Sequence, residues 1–471
     1  CLYCRISGEM EIKMNFYRKT TAELDKKLKI NENFGIVRRV FTVSGKAEAS
    51  LYFIEGFIKE SVTEKILEFC VSSDSPSDCI YNLPYTGVSI MSDVEELSDC
   101  LLHGESILMV DGVETAAVID VRQYPARSVE EPENDRVLRG PRDGFGEVLV
   151  SNMALIRRRI RDNRLMMNKI TIGKSTRNDI VICYMENLAD KLLVKKIEDK
   201  LNSMADIGSM NMVQESLAEA LIHRGWYNPF PKVRYSERPD AVSSMLLEGS
   251  IAIICDNTPQ IMIIPTSIFE FMQESDDFYL PPLIGTYLRI MRMLIFMMSL
   301  LLTPVWYLLV THPESIPPWL SFIQISKPAE VPLLAQFLLI EFMIDGLKLA
   351  SLNTPSMLNN SLSVVGGLIL GDFAVQTGWF CPEVILYMAI VAIASFTQQS
   401  YELGYAFKFS RILLLIGSAA FGLWGFIGVL LLMVVFIASN KTVSGKGYLY
   451  PLIPFDGKAL FLMFFRVRRN K

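Results

Sequence analysis

The sequence predicts an α/β N-terminal soluble region, built as two small subdomains, followed by an all-α multi-span membrane domain. Three observations carry that expectation. Hydropathy changes abruptly near Arg292, short alternating apolar runs fill the first part, and long uncharged runs fill the second. Over all 471 residues the mean hydropathy is only +0.29, with 51% apolar residues, because the average mixes two different solvents. From Met293 onward there are 11 Lys/Arg and 8 Asp/Glu; 46 less 11 leaves 35 basic residues before it, and 51 less 8 leaves 43 acidic ones. The first part thus carries a charge of about −8 and the second about +3. Neither balance suits a polyanion, so nucleic acid is excluded as a partner.

In the first part, strands are expected at Ala49–Ile54, Ser106–Val110, Ala116–Val121, Ile180–Tyr184, Ile251–Cys255 and Ile261–Pro265. Helices are expected between them, at Glu60–Cys70, Val150–Arg161, Asp190–Leu201 and Gln214–His223. The last two strands, parted by Asp256-Asn257-Thr258-Pro259, read as a hairpin. The stretch Val129–Gly146, dense in Pro, Gly and charge, reads as the joint between subdomains of residues 33–139 and 140–284. Residues 1–32 read as an N-terminal extension with Met14 as a candidate start. The N-terminus is polar and charged, unlike a secretory leader.

In the second part (residues 285–440), spans are expected at 293–310, 362–380, 384–399 and 412–437. The last is the longest uncharged run, with glycines at 417, 422, 425 and 428 that permit close helix approach. Pro332–Leu352 differs, because Glu341, Asp345 and Lys348 share one helical face. That pattern suits an interfacial or re-entrant helix, or a span whose polar stripe faces a watery interior. Arg289 and Arg292 before the first span, and Arg466, Arg468, Arg469 and Lys471 in the basic tail 441–471, place both ends in the cytoplasm. Four crossings satisfy that requirement; five would leave the tail outside.

Enzyme chemistry finds no foothold. The three histidines, His103, His223 and His312, are scattered, and of the eight cysteines only Cys1 and Cys4 have metal-type spacing, with no second pair to complete a site. No catalytic residues, metal or cofactor are therefore expected. Gly173-Lys174-Ser175-Thr176 resembles the end of a phosphate loop, but Asn168 stands where the first glycine belongs. Arg157-Arg158-Arg159 suits a phosphate or lipid headgroup less well than a solvated or ion-paired helix face.

Several stretches together resemble the A subunits of spore germinant receptors, the GerA family. The first is Gly140-Pro141-Arg142-Asp143-Gly144-Phe145 with Asn152 and Leu155-Ile156-Arg157-Arg158-Arg159-Ile160. The second runs from Pro229-Phe230-Pro231 through Tyr235-Ser236-Glu237-Arg238-Pro239-Asp240 to Leu247-Glu248-Gly249, and the third is Gly285-Thr286-Tyr287-Leu288-Arg289. In the membrane part the resemblance continues through Val364-Val365-Gly366-Gly367, Ala392–Phe396 with Tyr401-Glu402-Leu403-Gly404, and Tyr450–Phe455. Pro382–Tyr387 and the Ser-Tyr-Glu-Leu-Gly block resemble the SpoVAF type more than the nutrient-sensing subunits. One departure is Gln398-Gln399, where relatives commonly carry a proline before that block.

The resemblance implies a protein of the spore inner membrane, its soluble domain on the cytoplasmic side, acting in germination. It implies a homo-oligomeric channel that releases monovalent cations, working with transporter-like B and lipoprotein C subunits or with a SpoVAF-type small membrane partner. A non-conducting scaffold or signal-coupling subunit is the alternative. The ion-pathway candidates are Glu341, Asp345 and Asp372, acidic groups in or near membrane helices. The domain-coupling candidates are Arg142, Arg157, Arg158, Arg238, Asp240 and Arg289.

Overall fold

The computed structural model describes residues 16–124, 140–204, 227–353 and 374–465, with a few positions within 217–221, and omits the single residues 31, 44, 175, 275, 399 and 446. The chain divides into two compact units: Cys1–His223 with Val233–Pro265, and Arg224–Lys232 with Thr266–Lys471.

The first unit holds two five-stranded antiparallel sheets with helices around them. One comprises β1 (Ile36–Val43), β2 (Ala47–Ile54), β3 (Val88–Met91), β4 (Ser106–Val110) and β5 (Ala116–Ile119), in the order β1-β2-β4-β5-β3. The other comprises β6 (Leu165–Ile172), β7 (Asn178–Met185), β8 (Arg234–Ser236), β9 (Ile251–Cys255) and β10 (Ile261–Ile264), in the order β6-β7-β9-β10-β8. Helices alternate with the strands as expected: α1 (residues 16–28), α2 (Glu60–Ser72), α3 (Pro76–Tyr81), α4 (Val94–Leu102), α5 (Leu149–Arg159), α6 (Lys191–Ser203) and α7 (Pro239–Leu247). The expected helix at Gln214–His223 lies largely outside the described residues.

The two sheets are the same unit built twice. Numbering the second set from its own first strand gives the same strand order. β2 and β7 have 8 residues each, and the helices that follow them, α2 and α6, have 13 each. The helix–strand–strand runs α4-β4-β5 and α7-β9-β10 have 9, 5 and 4 residues apiece. Hairpin registers coincide as well, with Ser106 opposite Ile119 and Ile251 opposite Ile264 at corresponding ends. Gly104 (φ 93°) and Gly249 (φ 96°) occupy the same turn in each half, a left-handed conformation that only glycine adopts without strain. A Cβ on Gly104 would stand 2.8 Å from Phe57, and one on Gly249 would stand 2.9 Å from the Leu188 carbonyl. Phe57 and Leu188 are themselves matched, each donating its N–H three residues back, to Ile54 and Met185, at 3.1 Å.

Burial explains the strand patterns. In the first sheet, Ile107 and Met109 pack toward α1 and α4, while Leu108 and Val110 pack toward α2 and α3. A strand covered on both faces reads as a continuous apolar run, as β4 and β9 do. α5 serves both sheets: Ala154 joins the first core, and Met153, Leu155 and Ile156 join the second. Gly173-Lys174 lies in the turn joining β6 to β7, so that motif opens no phosphate-binding helix.

The second unit is helical: α8 (Pro282–Thr311), α9 (Leu333–Asn353), α10 (Pro382–Phe396), α11 (Tyr401–Ser439) and α12 (Gly457–Phe464). Among the described residues, α8 and α11 are long and apolar enough to cross a membrane, and α10 is shorter but equally apolar. Residues 354–373, most of the expected 362–380 span, lie outside the described residues. The run 412–437, expected as one span, lies within α11. Its helix begins at Tyr401 and is broken at Gly422, whose φ of 59° and ψ of −139° are not helical. A straight 39-residue helix would be about 58 Å long and would hold Phe407 and Phe436 roughly 43 Å apart. Instead both rings lie against Phe230, at 6.5 and 6.2 Å. α11 is therefore a helical hairpin. Its arms cross at the glycines: a Cβ on Gly425 would collide with the Gly417 carbonyl oxygen.

Two tests follow. Gly425→Ala should destroy the hairpin, seen as loss of the monodisperse peak on size exclusion. Gly428→Ala, with nothing within 4 Å, should leave it intact or gain up to about 1 kcal/mol of helix preference. In the soluble unit, Gly104→Ala and Gly249→Ala should each cost about 1–3 kcal/mol of stability, read as a lower melting temperature. Gly249 should suffer more, because its neighbour is backbone rather than a rotatable ring.

Candidate functional site

The most concentrated ionisable chemistry in the second unit lies between α9, α10 and α11. Helical spacing puts Glu341, Asp345 and Lys348 on one face of α9, and Lys408 and Arg411, three residues apart, on one face of α11. These faces meet. Arg411 donates Nε to Glu341 Oε1 at 2.8 Å, and its Nη2 reaches the same oxygen. Its Nη1 bonds the Ser299 carbonyl of α8. Lys408 pairs with Asp345, donates to the Glu341 carbonyl at 3.2 Å and lies 3.5 Å from Glu341 Oε2. Lys348 donates to Ser395 Oγ of α10 at 3.2 Å and sits over the Phe396 ring at 5.1 Å.

The Glu341 and Arg411 side chains are only 6% and 5% exposed. Removing charges from water is expensive, and the attraction recovers that cost only when each donor and acceptor is matched. Here one guanidinium matches a carboxylate and a carbonyl at once. The alternatives that the sequence leaves open for α9 thereby narrow, since its charged stripe faces protein, not headgroups. Three cations against two carboxylates leave the cluster with a net charge of +1. Asp372, the third pathway candidate, lies outside the described residues. Lys408 and Arg411 are not evident from the sequence because Arg411 ends the uncharged run and so marks an apparent boundary. The available signal was complementarity: two acids one turn apart on one segment and two bases one turn apart on another.

A second node gathers at the start of α8. Asp277, fully buried, accepts from Arg289 Nε at 3.2 Å and from Arg292 Nη1 at 3.0 Å. Arg292 also binds Glu274 at 2.6 Å and the Met272 carbonyl at 3.0 Å. Arg289 further donates to the Leu462 and Met463 carbonyls of α12, at 3.2 and 3.3 Å. The segment before α8, α8 itself and the end of α12 are thus joined.

The remaining coupling candidates fall in the first unit. Arg238, almost wholly buried, grips Asp240 through Nε (3.1 Å) and Nη2 (2.7 Å) and reaches the Pro141 carbonyl at 3.4 Å. Phe145 N–H donates to the Glu237 carbonyl at 2.8 Å. The two blocks that are far apart in sequence, 140–145 and 235–240, therefore meet. Asn152 closes the first of them with a pair of bonds to the Gly146 backbone, at 2.6 and 2.9 Å. Arg142 is exposed, next to Asp143, which Arg159 binds through both carboxylate oxygens. Arg158 lies over the Tyr124 ring at 4.9 Å. Arg157 is buried on α5 and donates to Asn33 Oδ1 (2.6 Å) and the Phe34 carbonyl (2.8 Å). Burial pulls its pKa down to about 10, still charged at neutral pH, and pushes the nearby Cys183 thiol up to about 12. Asn33 in turn bonds Leu165 and Met167 of β6, so Arg157 helps fasten one half of the soluble unit to the other.

Breaking the membrane pair should be costly and removing it should not. Glu341→Met or Arg411→Met alone strands a buried charge and should lose about 3–5 kcal/mol, whereas the double variant should recover most of that loss. Thermal unfolding in detergent followed by size exclusion measures both; equal losses in the double and single variants would contradict the pairing.

Comparison with known proteins points one way. The family model described as Bacillus/Clostridium GerA spore germination protein matches residues 22–471. Stage V sporulation protein AF of Bacillus subtilis (strain 168) is 34% identical over 470 residues, 98% of this chain and 94% of that protein. Spore germination protein KA of the same strain is 32% identical over 388 residues, 82% of this chain and 71% of that protein. Among solved structures, the N-terminal domain of the A subunit of the Bacillus megaterium spore germinant receptor GerK3 matches 52% of this chain and 92% of its own, at 24% identity and a TM-score of 0.38. The chain belongs to the GerA family of spore germination proteins and is a membrane protein of that family.

Proposed function

We propose that the chain is a subunit of an oligomeric channel of the spore inner membrane that releases monovalent cations during germination. The observation that carries this reading is the five-membered charge network of Glu341, Asp345, Lys348, Lys408 and Arg411 between apolar helices. As a stability device such a network is weak, since well-packed apolar side chains serve as well. As a gate it has a use. With α9 against α11 both carboxylates are neutralised and Lys348 adds a positive charge, so the closed arrangement repels cations. Separation of α9 from α11 frees two carboxylates per subunit, and a ring of copies would then attract monovalent cations. Asp372 stays a pathway candidate on sequence grounds.

The Arg289–Asp277 node supports an even number of crossings, because it brings the first and last helices of the unit to one end. With the Lys/Arg bias, that end, and with it the soluble region, is assigned to the cytoplasm. Arg289 is also the coupling candidate best placed to pass movement onward, since the chain leaving β10 enters α8 through it. The pairing of each carboxylate with a cation favours a second reading, a non-conducting scaffold that docks transporter-like, lipoprotein or small membrane partners.

Flux separates the two. Full-length protein in potassium-loaded vesicles should release K⁺, and Glu341→Gln with Asp345→Asn should cut the rate by about tenfold or more at equal incorporation. Unchanged flux in that variant would sink the acidic path. Wild-type protein that never conducts, yet co-purifies with other germination membrane proteins, would leave the scaffold reading in its place.

A further inference from the structure

Near the C-terminal end of the second unit, α12 carries an apolar face that is exposed among the described residues. α12 is an eight-residue helix started by Asp456, whose carboxylate accepts the N–H groups of Lys458 and Ala459 at 3.1 and 3.0 Å. Lys458, Phe461, Leu462 and Phe465 recur at the spacing of one helical face. Phe461 and Phe465 stack with ring centroids 4.9 Å apart, yet remain 54% and 44% exposed. Phe455, just before the helix, is 74% exposed. Met463, on the opposite face, is buried, and the backbone there is held by Arg289 of α8.

Three facts choose the occupant. The capture of the Leu462 and Met463 carbonyls fixes α12 at the N-terminal end of α8, where a membrane-crossing helix leaves the bilayer. Tyr287 and Leu283 on the first turns of α8 are exposed at that same end, as an interfacial belt requires. The six residues after Phe465 include Arg466, Arg468, Arg469 and Lys471 and no acid. An apolar face that begins at Lys458 and is followed in the sequence by four cations matches a bilayer surface with anionic headgroups, where rings enter the acyl boundary and basic side chains meet phosphate.

We infer that α12 lies in the plane of the membrane and docks its Phe461/Leu462/Phe465 face on the anionic lipid surface beside α8. The test uses the full chain in vesicles, with Phe461→Trp compared against wild type to isolate the added emission. Lipids brominated near the glycerol end should quench about half or more of that emission, and lipids brominated at mid-chain should quench it less. Quenching should be stronger in phosphatidylglycerol than in phosphatidylcholine vesicles. Arg466→Glu with Arg468→Glu and Arg469→Glu should remove that difference. An unquenched, blue-shifted tryptophan would mean that a protein surface covers the face, and an unquenched, red-shifted one that water does; either overturns the inference. Equal quenching in both vesicle types would overturn its anionic part. Retention of the size-exclusion profile by each variant establishes that the folded protein is being read.

Discussion

Arg411 is a charged, five-donor guanidinium, and whatever encloses it must supply matching acceptors. Leu414 and Leu415 follow it one turn on in α11, and Phe296 and Leu300 flank Ser299 on α8, all four buried. That environment is tolerable only because α9 delivers Glu341 and α8 delivers the Ser299 carbonyl. The demand sets how the helices turn. Once Glu341 faces Arg411, Asp345 one turn on faces Lys408, and Phe342 and Leu349 are left pointing outward, as their exposure records. Lys348 then comes to Ser395 and Phe396, which brings in α10. Apolar packing alone would permit many rotations of α9, since its outward and inward apolar side chains are much alike. Ionic pairing specifies one of them, at little gain in stability.

What the sequence made legible follows the same physics. β4 and β9 could be read to the residue because both faces of each are buried and the run is continuously apolar. β1 and β6 could not, because they lie at sheet edges and mix Arg38, Arg39 or Asn168, Lys169 into the pattern. The polar face of α9 was visible in the spacing of Glu341, Asp345 and Lys348, which is local. Its partners were not, because Lys408 and Arg411 lie more than sixty residues away and pairing between helices leaves no periodic trace. The hairpin in α11 was hidden for another reason: an uncharged run has the same hydropathy whether straight or folded. The glycines at 417, 422, 425 and 428 read only as permitting close helix approach; the structure sets Gly417 against Gly425 across the break at Gly422.

The repeated unit in the soluble part shows where sequence and structure part company. Corresponding positions share Leu101-Leu102 with Leu246-Leu247 at the helix ends, Gly104 with Gly249, and Asp111 with Asp256, but few other identities. Of these, Gly104 and Gly249 are the pair that geometry leaves least free, because their backbone is left-handed, while core positions accept any apolar residue of suitable volume. The halves differ where they meet. α5 buries Arg157 against Asn33 and the backbone of Phe34. A buried cation with uncharged partners is held less firmly than an ion pair.

In the second unit the two charged nodes share one helix. Arg289, Arg292, Phe296 and Ser299 recur along α8 at three- and four-residue steps, so they form a single stripe. Its first part holds Asp277 and the end of α12; its later part, two turns on, meets Arg411. A helix is stiff along its axis, and its hydrogen-bonded backbone stretches little. A rotation of α8 sufficient to part Arg289 from Asp277 must therefore also swing the Ser299 carbonyl away from Arg411. With that acceptor gone, the guanidinium depends on Glu341 alone, and the contact between α9 and α11 carries the whole burden of a buried charge. Within the second unit, Met272, Glu274 and Asp277 are thus joined through one stripe of α8 to the Ser299 carbonyl that Arg411 binds.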